Sequence, residues 1–125
     1  MEQLTILNQS TNGRLIEVAM VMRKVEIRLS IEQLASLARI MNSYLGNIRL
    51  TDDIDDKAIF YLLYQMYEAK VRKKILSLKQ DAKLSLDMAQ AWAMTAMLME
   101  MDFAGWPYEH QVKQYIIGEI NHQTV

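Results

Sequence analysis

Five of the ten methionines in this chain lie between residues 87 and 103, in the segment DMAQAWAMTAMLMEMDF. Thioethers bind copper(I), so the spacing of Met94, Met97, Met99 and Met101 raises the question of a soft-metal site. On a helix, side chains two positions apart lie roughly 200° apart around the axis, so Met97, Met99 and Met101 cannot converge on one ion. We therefore predict no metal site and interpret these methionines as core or interface residues.

The other residues that could do chemistry form no catalytic constellation. His110 and His122 stand twelve positions apart without a matching group of carboxylates. The acidic run 52–56 lacks the alternating ligands and the glycine of a calcium loop, and it suits a helix cap and first turn instead. The chain has no cysteine, which excludes disulfides, thiolate zinc sites and cysteine nucleophiles. We expect a non-enzymatic protein with no catalytic residue, no resident metal and no cofactor.

A basic segment between residues 70 and 83 is the strongest electrostatic feature. The formal net charge of the chain is −1, so contact with nucleic acid would require a local patch rather than a general field. The candidate phosphate contacts are Lys70, Arg72, Lys73, Lys74, Lys79 and Lys83. On a helix these residues spread to both flanks of an apolar stripe, which is also typical of a solvated helix face.

The first element that the sequence indicates is a strand followed directly by a helix. Residues 1–29 form an N-terminal strand or arm region, in which KVEIRLS at 24–30 alternates apolar and charged residues, as a half-buried strand does. Ser30 and Gln33 then match a capping box. We predict a helix at about 31–45.

The long central stretch carries apolar residues at steps of three and four, with one irregular step at Tyr67–Val71–Ile75. It fits one long helix or two helices at about 54–80 and 82–102, and we favour two because helices are usually short. A last helix is predicted at about 107–121. No internal repeat is evident in the sequence.

These elements predict a mainly α-helical bundle of about four helices with a small N-terminal β-strand or arm, all within a single domain over residues 1–125. No apolar run reaches the roughly 20 residues that a membrane-spanning helix requires. We therefore expect no membrane partner, and a location in the cytoplasm or in a virion-type assembly.

The function follows from the helix around the methionines, which is apolar on every side and must be central or docked on another chain. The candidate interface residues are Trp92, Met94, Met97, Met101 and Trp106. We predict a helical interaction or structural protein that self-associates or binds a protein partner in a homo-oligomer or larger assembly, such as a structural or accessory protein of a phage or mobile element. The alternatives are a small nucleic-acid-associated regulator that uses residues 70–83, and a helical bundle that binds a small molecule.

Overall fold

The fold is mainly α-helical, as expected, and its helices pack on a ribbon of two antiparallel strands. A computed structural model describes residues 23–47, 53–77 and 81–124, so residues 1–22 of the expected N-terminal arm region lie outside the described part. The elements are β1 (Lys24–Ser30), α1 (Ile31–Asn47), α2 (Ile54–Met66, continued by a π-helical turn at Tyr67–Val71 and by Arg72–Leu76), β2 (Asp81–Asp87), α3 (Met88–Glu100) and α4 (Pro107–Thr124).

Strand β2 stands where we expected the third helix to begin at residue 82. The single long helix considered for the central stretch is wrong for the same reason. β2 pairs antiparallel with β1, and Ile27 lies opposite Leu84 at the centre of the ladder. The residues buried beneath the ribbon are Val25, Ile27, Leu29, Leu84 and Leu86. The distant strand supplies backbone partners that local sequence patterns do not reveal, and the alternation then buries one face of the ribbon.

The structure contains an internal repeat that the sequence does not show. The order strand–helix–helix occurs twice, as β1–α1–α2 and β2–α3–α4. The centre of the ribbon lies between Ile27 and Leu84. A twofold rotation about that point places each residue of β1 on the residue 57 positions later in β2, for example Lys24 on Asp81. Buried residues of α1 and α3 follow the same offset: Leu34 and Ala91, Leu37 and Met94, Ile40 and Met97, Met41 and Leu98. The repeat is conserved in burial rather than in residue identity.

Each strand ends at a residue that caps the following helix. The Gln33 amide donates to Ser30 Oγ (3.1 Å), and the Ser30 amide donates to Gln33 Oε1 (2.9 Å), which confirms the predicted capping box. At the matching position the Gln90 amide donates to Asp87 Oδ1 (2.7 Å), and the Asp87 amide donates to Gln90 Oε1 (3.0 Å). Both caps satisfy helix amides that would otherwise lack partners, and they fix the angle at which each helix leaves the ribbon.

The two second helices meet the ribbon differently. Helix α4 lies along the outer edge of β1, where the Gln123 side-chain amide donates to the Glu26 carbonyl (2.7 Å) and accepts from the Glu26 amide (2.8 Å). The Tyr115 hydroxyl donates to the carbonyl of Arg28 (2.7 Å). Helix α2 packs mainly on α3, and it reaches the outer edge of β2 through Lys70, whose ammonium donates to the Ser85 carbonyl.

Candidate nucleic-acid interface

The face of the ribbon opposite the core is open and polar. Its side chains are Lys24, Glu26, Arg28 and Ser30 from β1, and Asp81, Lys83, Ser85 and Asp87 from β2. They follow from the same alternation that buries the apolar residues, because successive side chains of a strand point to opposite faces. Glu26 and Lys83 form an exposed ion pair across the strands at 3.4 Å. The ribbon therefore presents hydrogen-bond donors and acceptors side by side on one surface.

A lysine-lined groove, which we call the lysine groove, runs between α2 and β2. It has a volume of about 320 Å³. Its lining residues are Ala69, Lys70, Lys73, Lys74, Lys83 and Ser85. Lys70 also donates to Gln90 Oε1 at 2.8 Å. Burial and the positive charge of nearby Lys24 lower the pKa of Lys70. The groove is therefore a local concentration of positive charge in a chain whose net charge is close to zero.

The π-helical turn in α2 explains why the lysines face this groove. The buried residues of α2 step from Met66 to Val71, one position more than a regular α-helix allows on one face. Without the extra residue, position 70 would follow Met66 onto the buried face. With it, Val71 enters the core, and Lys70, Lys73 and Lys74 stay on the flank beside β2. The irregular step in the sequence pattern marks this turn.

The structure separates the six candidate phosphate contacts into three groups. Lys70, Lys73, Lys74 and Lys83 come together in the lysine groove, although Lys83 lies on a strand rather than on the expected helix. Arg72 does not line the groove, and its guanidinium bonds Glu68 at 3.0 Å. Lys79 falls outside the described residues.

The predicted interface residues occupy different environments. Met94 and Met97 are fully buried by the chain's own atoms, so they offer no surface to a partner. Met101 and Trp106 are half-buried, and Trp92 is 47% exposed. Trp92 and Met101 line different grooves. Their role in an interface stays a prediction.

Sequence reasoning missed the exposed face of the ribbon. The alternation that predicted β1 already placed Lys24, Glu26 and Arg28 on the side away from the core. For β2 a signal was present in DAKLSLD at 81–87, which alternates in the same way and ends at the capping pair Asp87 and Gln90.

Comparisons with protein-family models, curated proteins and solved structures find no match to this chain. Within residues 23–47, 53–77 and 81–124, no three histidines or carboxylates are grouped so that they could hold a metal ion. In the same ranges, no helix has the length and hydropathy needed to cross a bilayer. The interpretation of the site therefore depends on the ribbon and the lysine groove.

Proposed function

We propose that the protein binds double-stranded DNA by placing the exposed face of its β-ribbon in the major groove, with the lysine groove against the adjacent sugar–phosphate backbone. The observation that carries this proposal is the position of three lysines of α2 beside the open, polar face of a two-stranded ribbon, which itself carries Lys83. The proposal keeps the nucleic-acid alternative that the basic segment raised. It differs in that the β-ribbon, and not the basic helix, recognises the DNA sequence.

The dimensions of the ribbon suit this placement. The major groove of B-DNA is about 12 Å wide and admits a two-stranded ribbon. The strands of a ribbon lie about 4.8 Å apart, and seven residues at roughly 3.3 Å each give a length of about 23 Å. The opposite face is occupied by the core, so only one face can enter the groove.

The exposed side chains have the chemistry that reads base edges. Arg28 can donate two hydrogen bonds to guanine, and Glu26 can accept from the amino group of cytosine. Lys83 and Ser85 present further donors from the second strand. Lys73 and Lys74 would contact phosphates, which position a protein on the duplex but do not read its sequence.

The number of lysines in the groove predicts how strongly the affinity for DNA depends on salt concentration. With phosphate contacts from the three groove lysines of α2, the logarithm of the affinity should fall against the logarithm of the salt concentration with a slope of about −2.7. That slope corresponds to a loss of about 40-fold between 50 and 200 mM salt.

The test is fluorescence anisotropy with a labelled mixed-sequence DNA duplex across a salt series. The double variant Lys73→Gln/Lys74→Gln should weaken binding and reduce the slope by about 2, since each phosphate contact accounts for about 1. Arg72→Gln is the control, because it removes a positive charge from the same helix outside the groove. No salt-dependent binding at 50 mM salt, or an equal loss in the control, would overturn the proposal.

Duplex RNA provides a second comparison. The major groove of A-form RNA is deep and narrow, so the ribbon should not enter it. Equal affinity for RNA and DNA duplexes of the same sequence would contradict insertion of the ribbon.

Self-association is the second candidate, and exposed apolar residues on α2 favour it. Tyr61 and Tyr64 are 66% and 51% exposed, and Phe60 stacks on Tyr64 at 6.3 Å between ring centroids. Such a patch suits contact with another protein surface. A light-scattering mass of one chain at micromolar concentration would reject this candidate, and Tyr61→Ser/Tyr64→Ser should lower any larger mass.

A further inference from the structure

The two sides of the ribbon differ although the elements around them repeat. Beside β2 lies the open lysine groove. Beside β1, α4 closes the edge through Tyr115 and Gln123, and no lysine of α4 joins them in bonding the strand. Among the residues that the structure describes, a phosphate could therefore meet a cluster of ammonium groups on the β2 side only.

The exposed face of the ribbon also breaks the twofold relation. At the 57-residue offset each charged residue of β1 is matched by a residue of different charge in β2. The matched pairs are Lys24 and Asp81, Glu26 and Lys83, and Arg28 and Ser85. In the first two pairs the charge is inverted, so a hydrogen-bond acceptor on one half stands where the other half has a donor.

A DNA-binding protein with exact twofold symmetry and this chain would therefore recognise different DNA sequences. The symmetry of a binding site mirrors the symmetry of the protein that reads it, and a twofold protein reads a palindrome. Here a base edge that suits Glu26 in one half of the site would be wrong for Lys83 in the other half, because a carboxylate accepts hydrogen bonds and an ammonium donates them.

We propose that one chain reads a single non-palindromic DNA site in one orientation. The half of the ribbon that carries Glu26 and Ser85 recognises one half of the site, and the half that carries Arg28 and Lys83 recognises the other. The lysine groove holds the backbone on the β2 side. This inference rests on the proposed binding of DNA, and it adds the class of target and the orientation.

Selection from a duplex library with a randomised 20-base-pair centre tests the symmetry of the target. The enriched sequences should share a consensus without twofold symmetry, bound by one chain per duplex. A palindromic consensus, or two chains on one site, would overturn the inference while leaving DNA binding intact. Binding without any enrichment would do the same, whereas no retained DNA would reject the proposed function as well.

A symmetrising variant gives a sharper test on the selected sequence. Glu26→Lys places a lysine at both positions of one matched pair, so repeated selection should give a consensus that is more palindromic there. The wild-type sequence should lose affinity by about tenfold, the usual effect of one mismatched position. Asp55→Lys is the control, since it makes the same charge change about 22 Å along α2 from Lys70. An unchanged consensus in Glu26→Lys, with circular dichroism showing a folded protein, would contradict the assignment.

Orientation can be read from phosphate ethylation on the selected duplex. Interference should be stronger on the DNA strand whose backbone lies beside β2, and Lys73→Gln/Lys74→Gln should reduce it there alone. Equal interference on both DNA strands would contradict the one-sided backbone contact.

Discussion

Replacement of Met97 tests whether α3 is covered by its own chain. Met97 is fully buried, and Met94 and Leu98 beside it are buried as well. Met97→Ala should cost about 3 kcal/mol, within the range of 2–5 kcal/mol for a buried methionine truncated to alanine. At roughly 4 °C per kcal/mol for a chain of this size, the Tm should fall by about 12 °C.

Met97→Asp should be more severe, because an unpaired carboxylate in the core adds a desolvation cost of several kcal/mol. Total stabilities of about 5–15 kcal/mol leave little after such a loss, so we expect an unfolded protein. Met99 provides the control: it lies two positions further along α3 and is 65% exposed. Met99→Ala should change the free energy of unfolding by no more than about 0.5 kcal/mol.

Urea denaturation followed by circular dichroism measures these differences, with light scattering on the same samples. If Met97→Asp kept the Tm of the wild type and only lowered the mass of an assembly, Met97 would lie at an interface between chains. That result would refute the burial argued from the fold.

Four further predictions concern stability. Gly118→Ala should stabilise the protein by about 0.5–1 kcal/mol, because Gly118 is within α4 and an added Cβ meets no atom within 4 Å. Gly105→Ala should destabilise the protein by about 1 kcal/mol, because Gly105 has a φ of 81°, which an L side chain rarely adopts. Burial and the hydrogen bond from its hydroxyl to Glu100 raise the pKa of Tyr44 to about 12. The stability that this group contributes should therefore be fully present below pH 10 and be lost as the pH rises through 12. A pH series of thermal melts measures this loss, and Tyr44→Phe should abolish it. Asp87→Ala should cost about 1 kcal/mol in urea denaturation by removing the α3 cap, and an unchanged midpoint would contradict that role.

The sequence allowed β1 and the start of α1 to be predicted because their signals are local. Alternation over 24–30 and the pair Ser30 and Gln33 need no distant partner, and both predictions are confirmed. The helix predicted at 31–45 runs to Asn47, and the last helix runs to Thr124. Differences of two or three residues at helix ends are ordinary.

Strand β2 was missed because its sequence fits the two-residue period of a strand and also the helical spacing of three and four residues. Ala82, Leu84 and Leu86 alternate as in a strand, while Ala82 and Ser85 also continue the apolar stripe at helical spacing. No glycine or proline interrupts the described part of that stretch. The choice is made by backbone pairing with β1, 57 positions away, which a local pattern cannot register.

The candidate site was predicted only in its lysines. Their grouping depends on one extra residue in the π-helical turn and on the placement of Lys83 on β2. Neither can be read from the composition of the basic segment, although the irregular step at Val71 indicated the position of the turn.

The side-chain amide of Gln123 has a consequence for solubility. A two-stranded ribbon has two edges, and an edge with unpaired backbone groups can recruit a strand from another molecule. By both donating to and accepting from the backbone of Glu26, Gln123 occupies the bonding position of a third strand, and Lys70 covers the Ser85 carbonyl on the other edge. Gln123→Ala should therefore increase aggregation on heating, measured by turbidity, although it leaves the exposed face of the ribbon unchanged. The same contacts that hold α4 against β1 thus protect the ribbon from joining a neighbouring sheet.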